Sequence, residues 1–369
     1  MTTPLLSICI ATYNRADYIG ETLESIIPQL TDRVEIIIVD GASTDRTESV
    51  VAGYIQTCQQ ISYLRLPTKG GVDQDFCKAV ELAKGEYCWL MSDDDLLRRG
   101  AIKAVLDEAR RNDYSLIIVN SEVRNRDLSK VIDKKRLQID RNRIYTTEEN
   151  EYLFLDTVSY LSFIGCVVIN RRLWNAREKE KYFGSSFIHV GVIFQSAIPS
   201  KVLVIAEPYI TIRYGNAEWT ARSFEIWMFS WPNLIWSFTG FSDKAKSQIV
   251  RREPYRRFLT LLLYRARGAY ALSDYVNSIA PRLGPGWKRS VSRAIACLPG
   301  CFTNLLGVLY YSFFYRASRM PLMDMKNSRF YWAKCLRLPM NPKGIAGGEP
   351  SGRRTTSPPE DHEAAAVGP

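Results

Sequence analysis

The segment Gly85-Glu86-Tyr87-Cys88-Trp89-Leu90-Met91-Ser92-Asp93-Asp94-Asp95 drives an apolar run into three consecutive carboxylates. Tyr87 to Met91 has the length and aromatic content of a buried strand, so the three acids emerge at its C-terminal end. Open α/β sheets bind ligands at that edge. Adjacent acids repel one another unless positive charge sits among them, and a hard divalent cation carrying substrate phosphates is the usual partner. Asp95 by itself also suits the N-cap of a helix predicted over 98–112, because acids favour that position and its dipole.

Outward from this strand, apolar runs and helical spacing alternate. Leu5 to Ala11 reads as a short strand, and Ile19, Leu23 and Ile26 then recur at helical spacing up to Pro28. Val34 to Val39 is the most apolar strand candidate. It ends in Asp40-Gly41-Ala42-Ser43-Thr44-Asp45, a second acidic loop at a strand's C-terminal end. Ile61 to Leu66 and Ser115 to Val119 add strands, and Asp73 to Lys84 a helix. This alternation predicts a parallel, doubly wound sheet. Between Asn120 and Thr147 the apolar period disappears, which predicts an excursion with little core of its own. Phe163 to Ile169, Lys201 to Ile205 and Tyr209 to Tyr214 return to strand-like composition, and Phe187 to Ile198 reads as a helix. Phe224 to Phe241 packs three Trp and four Phe into eighteen residues, a pattern that predicts a buried aromatic helix.

A chain of 369 residues, 46% hydrophobic, can bury one large core or two smaller ones. Its eight cysteines include no Cys-x-x-Cys pair, and Cys297 and Cys301 have no histidines nearby to complete a zinc site. Reduced, buried thiols are expected. Leu5 to Ala11 is too short for a secretory h-region and runs into polar Thr12-Tyr13-Asn14-Arg15, which predicts a cytosolic protein. The net charge of +10 is local. Residues 251–340 hold 16 Lys and Arg against 3 acids, whereas the first 250 residues hold 30 against 32.

In that basic third, arginines interleave with Phe258-Leu259-Thr260-Leu261-Leu262-Leu263-Tyr264, and Ala294 to Tyr315 runs 22 residues without a charge. Such a run is long enough to span a bilayer. Pro299-Gly300 breaks it, however, so a helix lying in the membrane interface, or re-entrant, is predicted in place of a spanning one, with a core helix of a second soluble lobe as the other reading. The tail 341–369, rich in Gly, Pro, Ser and Ala, is expected to be disordered. The organisation read from the chain is therefore an α/β domain over 1–222, a membrane-associated helical region over 223–340, and a tail.

Three motifs carry a family resemblance: Ser7-Ile8-Cys9-Ile10-Ala11-Thr12-Tyr13-Asn14-Arg15, Val39-Asp40-Gly41-Ala42-Ser43-Thr44-Asp45, and Gly85-Glu86-Tyr87 followed by Ser92-Asp93-Asp94-Asp95. In this order and separation they resemble family 2 glycosyltransferases of GT-A fold, whose Rossmann-like sheet is mostly parallel with helices on both faces. The Ser-Asp-Asp-Asp form is similar to the abequosyltransferase-like branch, which adds a deoxysugar to a lipid-linked O-antigen intermediate. The resemblance implies an inverting, metal-dependent transfer from a nucleoside diphosphate sugar to a hydroxyl of a lipid-linked oligosaccharide, at the cytoplasmic face of the inner membrane. It puts Thr12 and Asp40 on the nucleotide base, with Tyr13, Arg15 and Lys69 also contacting the donor. It puts Asp93 on the ribose and Asp94 on a Mg²⁺ or Mn²⁺ that bridges the diphosphate. Asp95 is implied as a second metal ligand and catalytic residue, or as a helix cap only.

Two positions depart from the family pattern. Gly41 stands where many relatives carry a second acid, and Phe76-Cys77 stands where many carry Arg-Asn, leaving Lys69 or Lys78 to contact phosphate. The stretch Ser186-Phe187-Ile188-His189-Val190 lacks the carboxylate that relatives keep there as general base. His189 is the only histidine outside the tail, and its ordinary pKa near 6.5 suits a base at neutral pH. A lone histidine on an apolar segment is also commonly a satisfied core residue. Arg213, Tyr214, Asn216 and Trp219 are expected to shape the acceptor site.

Two other functions remain in view. A sugar-1-phosphate nucleotidyltransferase needs a Gly-rich basic loop near the N-terminus, which Thr12-Tyr13-Asn14-Arg15 is not. A non-catalytic basic protein bound to anionic lipid or nucleic acid would use residues 251–337, as aromatic interleaving allows. Carboxylates aimed into a cleft tell against it, and no nucleic-acid partner is expected.

Overall fold

A computed structural model of the chain describes residues 3–216, 222–313 and 320–335. Strands and helices alternate through the first half: β1 (Leu6–Thr12), α1 (Ile19–Ile26), β2 (Val34–Asp40), α2 (Thr47–Ile55), β3 (Ile61–Arg65), α3 (Val72–Leu82), β4 (Tyr87–Met91), β5 (Leu96–Leu97), α4 (Ala101–Arg111) and β6 (Tyr114–Arg124). There follow β7 (Val131–Asp133), β8 (Arg143–Tyr145), α5 (Asn150–Thr157), β9 (Val167–Asn170), α6 (Arg171–Asn175), α7 (Ile188–Phe194) and β10 (Lys201–Arg213). The sheet runs β3-β2-β1-β4-β9-β6-β10-β5, with β7 beside β6 and β8 beside β10.

β4 sits at the centre, as its apolar run predicts. All five of its side chains are fully buried, with the Tyr87 hydroxyl donating to Tyr114 O at 2.9 Å and Trp89 Nε1 to Gly165 O at 2.8 Å. Parallel pairing holds from β3 through β2 and β1 to β4, but β9 is antiparallel to both β4 and β6. The sheet is thus mostly parallel, as expected, and the antiparallel course of β9 has a topological reason. The excursion after β6 leaves the sheet at its C-terminal edge and re-enters β9 at that same edge, so no crossover helix restores the direction. β10 is one bulged strand where the sequence suggests two, because Pro208 interrupts its register with β6 without ending the pairing. Asp95 caps no helix. It precedes β5, and α4 begins after Gly100, whose φ of 86° turns the chain.

Gly85, two residues ahead of β4, must be a glycine because of how closely β1 passes it. A Cβ there would lie 2.6 Å from Ser7 N and 2.9 Å from Leu6 C, both rigid backbone of β1. Gly85→Ala is therefore expected to cost about 1–3 kcal/mol, as overpacking does, read as a lowered melting temperature. A melt indistinguishable from wild type would mean that β1 yields.

The apolar core under the sheet continues past residue 222. α8 (Ser223–Glu225) leads through a π-helical turn over 226–230 into α9 (Trp231–Ser237), followed by α10 (Asp243–Ile249). Ile226, Trp231, Leu234, Ile235, Phe238, Phe241 and Ala245 all join the sheet's core. A second cluster forms around Phe224, Tyr270 and Leu261, built from α11 (Phe258–Arg267), α12 (Leu272–Asp274) and α13 (Trp287–Cys297). α14 (Gly300–Phe313), α15 (Met320–Asn327) and α16 (Trp332–Cys335) complete the region. The aromatic stretch 224–241 is thus core, as its spacing suggests. The tail and Trp219 lie outside the described residues. Cys9, Cys58, Cys77, Cys88, Cys166 and Cys297 are free thiols. Cys301 is disulfide-bonded, against the expectation of reduced thiols throughout.

Candidate active site

Three strand ends converge at the C-terminal edge of the sheet: Thr12 from β1, Asp40 from β2, and Asp93 to Asp95 from β4. The loops after β1 and β2 brace each other. Asn14, at φ 54°, accepts from Thr44 N at 2.7 Å through Oδ1, while Ser43 Oγ accepts from Asn14 N at 2.8 Å and Thr47 Oγ1 accepts from Arg15 N at 2.8 Å. Asn tolerates the left-handed region for this purpose. The Ser-Thr-Asp turn of the second loop therefore fixes the backbone from which Arg15 projects.

Arg15 reaches the acid cluster. Its Nε lies 3.5 Å from Asp93 Oδ1 and its Nη2 3.7 Å from Asp94 Oδ2. Asp94 also accepts from Ser92 Oγ at 2.6 Å and from Asn216 Nδ2 at 2.8 Å. Asp93 is pushed up to about 7, first by burial and then by Asp94, with Arg15 and the Thr12 hydroxyl working against the rise. One guanidinium thus leaves the pair short of positive charge.

The third acid serves another purpose. Asp95 Oδ1 accepts from Arg213 N at 2.7 Å, and burial and Asp94 push its carboxyl well above the usual range. Arg213 in turn donates to Asp94 O at 3.0 Å and Arg126 O at 2.9 Å and pairs with Glu21 at 2.5 Å. Asp95 therefore fixes the end of β10 beside the cleft through Oδ1, and of its expected roles it is the helix cap that the structure overturns.

Asp40 holds its own loop, accepting from Ser43 N at 2.7 Å and from the Tyr63 hydroxyl at 2.7 Å. Lys69 Nζ sits 3.4 Å above the Tyr13 ring, placing both at the cleft rim, whereas Lys78 pairs with Glu81 on the exposed face of α3. The second acid missing at position 41 returns from α3. Asp75 Oδ2 lies 2.8 Å from where a Cβ on Gly41 would be, and its Oδ1 is buried without a hydrogen-bond partner. Burial and the neighbouring Asp40 push Asp75 up to about 6 against the pull of Lys69. From the sequence, Asp75 is one of three carboxylates, with Asp73 and Glu218, that stand next as general base if His189 is not; Glu218 lies outside the described residues. The glycine at position 41 was the available signal, since it leaves room for a side chain from elsewhere.

His189 is not in the cleft. It is 1% exposed, its Nε2 hydrogen-bonds Leu161 O at 2.6 Å, and burial pushes it down to about 4. The assignment of His189 as general base is thus corrected: α7 is buried along its whole length, and the ring faces the core. Asp73 is likewise committed, accepting from Ser186 N at 2.9 Å and Ile188 N at 3.1 Å ahead of α7.

Among the described residues, no group of three or more His, Cys, Asp or Glu side chains is placed to hold a metal ion. The charge balance of the cleft nonetheless fits a divalent cation. Mg²⁺ typically takes one or two carboxylates and completes its shell with substrate phosphates and water, and Asp93 and Asp94 form an under-compensated pair of that kind.

Beside this cluster lies an open cavity of about 560 Å³ whose lining includes Tyr18, Arg126, Asp127, Tyr214, Gly215 and Asn327. It joins the sheet's edge to α15, which the Tyr214 hydroxyl contacts through Asp324.

A family model described as glycosyl transferase family 2 matches residues 7–172. The chain is 29% identical over 231 residues to the abequosyltransferase RfbV of Salmonella typhimurium, covering 58% of this chain and 67% of that protein. It is 28% identical over 116 residues to the glycosyltransferase GlyG of Streptococcus pneumoniae, spanning 38% of its length. Among solved structures, residues 1–349 of S. aureus TarS in complex with UDP-GlcNAc align with a TM-score of 0.53 and 16% identity, over 87% of this chain and 89% of that one. The fold is of GT-A type.

Proposed function

Since the chain belongs, through residues 7–172, to glycosyl transferase family 2, we propose that it is an inverting, metal-assisted transferase. In this reading it moves a sugar, a deoxyhexose in kind, from a nucleoside diphosphate to a hydroxyl of a lipid-linked saccharide at the inner face of a membrane. The observation that carries the reading is Arg15 bridging Asp93 and Asp94 at the sheet's C-terminal edge, where α/β sheets bind ligands. Similarity to an abequosyltransferase supports the deoxysugar and the polysaccharide setting.

In transfer, the acceptor hydroxyl gives up its proton to a carboxylate of its cavity, Asp127 being the one that lines it, as its oxygen attacks the anomeric carbon; the bond to the diphosphate breaks, and negative charge builds on the leaving oxygen. Arg15 and Lys69 supply fixed positive charge along the path of the diphosphate. Asp93, once ionised, accepts from a donor hydroxyl. Asp40 and Asp75 line the end of β2 where the base would sit. A divalent cation held by Asp94 would neutralise the leaving diphosphate. The cavity between Tyr18 and Tyr214 suits an acceptor saccharide, which binds through stacking on ring faces and hydrogen bonds to groups such as Asp127 and Asn327.

Thermal unfolding with UDP, GDP, CDP or dTDP, each with and without Mn²⁺, tests this reading. One nucleotide is expected to stabilise the protein by about 2.7 kcal/mol at a hundred times its Kd, and only with metal. A set in which no nucleoside diphosphate shifts the melt would sink it.

A further inference from the structure

α14 presents two unlike faces. Thr303, Asn304, Gly307 and Tyr311 are buried against the rest of the helical region. Asn304 Nδ2 donates to Ala266 O at 3.0 Å and Met325 O at 2.8 Å, Gly307 admits the Met325 side chain, and Arg267 donates to the Tyr311 hydroxyl at 3.2 Å. The opposite face carries Phe302, Leu305, Leu306, Leu309 and Phe313, which stay 39–65% exposed. These positions recur at the spacing of one helical stripe. Trp287, 66% exposed at the start of α13 and packed on Phe258 of α11, is a second exposed aromatic of this region. An exposed apolar stripe of this kind marks an interaction surface.

The surrounding charge identifies the partner. From Tyr275 to Met323 the sequence holds no Asp or Glu, while Arg282, Lys288, Arg289 and Arg293 lie in that interval and are all exposed. An apolar stripe that follows exposed cations along the chain, with no acid between them, is complementary to a surface with an apolar interior and anionic headgroups. No single described helix is long and apolar enough to cross a membrane, and α13 and α14, which pass that test only as a pair, are bent by 98° at their break. With its other face buried against protein, α14 fits a seat along such a surface.

We propose that α14, with Trp287 and the α13 cations, is the element that docks this protein on anionic phospholipid. The proposal deepens the reading of a lipid-linked acceptor given above and rests on it only for its purpose. The buried face of α14 ties the docked surface to the cleft. Arg267 contacts both Tyr311 of α14 and Asp324 of α15 at 3.5 Å, Asp324 accepts from Tyr214, and two residues on Asn216 donates to Asp94. A helix seated on the bilayer thus holds the 214–216 segment beside the acid cluster.

The test is co-sedimentation of the full chain with phosphatidylglycerol–phosphatidylcholine vesicles and with pure phosphatidylcholine. Binding is expected to the mixed vesicles and to be at least tenfold weaker to the neutral ones. Because the stripe is exposed, Leu305→Gln/Leu309→Gln should fold with an unchanged melt yet lose about a hundredfold in partitioning, the scale expected for two leucines leaving an apolar phase. Arg289→Gln/Arg293→Gln should weaken binding in a salt-dependent way. Wild-type protein that ignores mixed vesicles at low salt overturns the proposal. So does a double-leucine variant that binds like wild type, a dimer that buries the stripe in solution, or displacement from vesicles by duplex nucleic acid. The nucleotide-dependent melt, run without vesicles, reports separately on the transfer reading, so either can fail alone.

Discussion

Asp94→Ala is expected to abolish sugar transfer while leaving the protein folded. Asp94 is the acid on which the cleft converges, since Arg15, Ser92 and Asn216 all address its carboxylate. A carboxylate that holds a phosphate-bridging cation stabilises charge on the leaving group, and such stabilisation is worth several kcal/mol of barrier. A loss of at least about 10³ in kcat follows at about 1.4 kcal/mol per decade. Removing the charge also relieves the repulsion that raises Asp93, so the melting temperature should hold or rise. Asp93→Ala should act differently, weakening the donor's Kd more than kcat, because in the proposed reading Asp93, beside the Thr12 end of β1, binds a donor hydroxyl and not the metal. The two are compared by single-turnover transfer and by donor titration, in metal-replete buffer and in excess chelator. Full activity of Asp94→Ala, or of wild type in chelator, would remove the metal-assisted scheme altogether.

The central strands were legible because each contains a nearly continuous apolar run, whereas the short edge pieces β5, β7 and β8 carry too few apolar residues to be read. Tyr87–Met91 coincides with its prediction, and Val34–Asp40 differs by one residue. What the chain could not reveal was direction. β9 has the composition of any buried strand, and only the path of the excursion over 125–166 makes it antiparallel. The acids at 93–95 were legible as a cluster but not as three separate roles. Adjacent residues on a turning backbone point apart, so Asp93 and Asp94 meet Arg15 while Asp95 meets Arg213 N. Asp75 shows the complementary case. Its function depends on the space left by Gly41, thirty-four positions earlier in the chain, and no local pattern encodes that. In the helical region, hydropathy marked α14 as apolar, yet which of its residues are buried depends on Asn304 and Gly307 fitting α11 and α15. The Pro299-Gly300 break was legible outright, because proline and glycine end a helix wherever they occur together.

His189 is where a sequence argument was most specific and the fold reverses it. The ring is enclosed, its Nε2 bonded to Leu161 O and its Nδ1 without a partner, so protonation would bury an uncompensated charge. The folded-state value of about 4 lies below the unfolded value of about 6.5. Above pH 6.5 neither state binds the proton, and the histidine costs nothing. Between 6.5 and 4 the unfolded chain binds a proton that the folded protein refuses, so stability falls as pH falls, and below 4 the loss levels off at about 3 kcal/mol. His189→Gln keeps an amide donor for Leu161 O and removes the titration. Relative to wild type, it should therefore gain stability progressively from pH 6.5 down to 4, measured as the difference between two denaturant series so that the other titrating groups cancel. Its kcat at pH 7 should stay within about threefold of wild type, since a removed general base typically costs about 10²–10⁴. A variant that melts like wild type at every pH but has lost that much rate would return His189 to the chemistry, and would require α7 to turn its ring from Leu161 toward the acceptor.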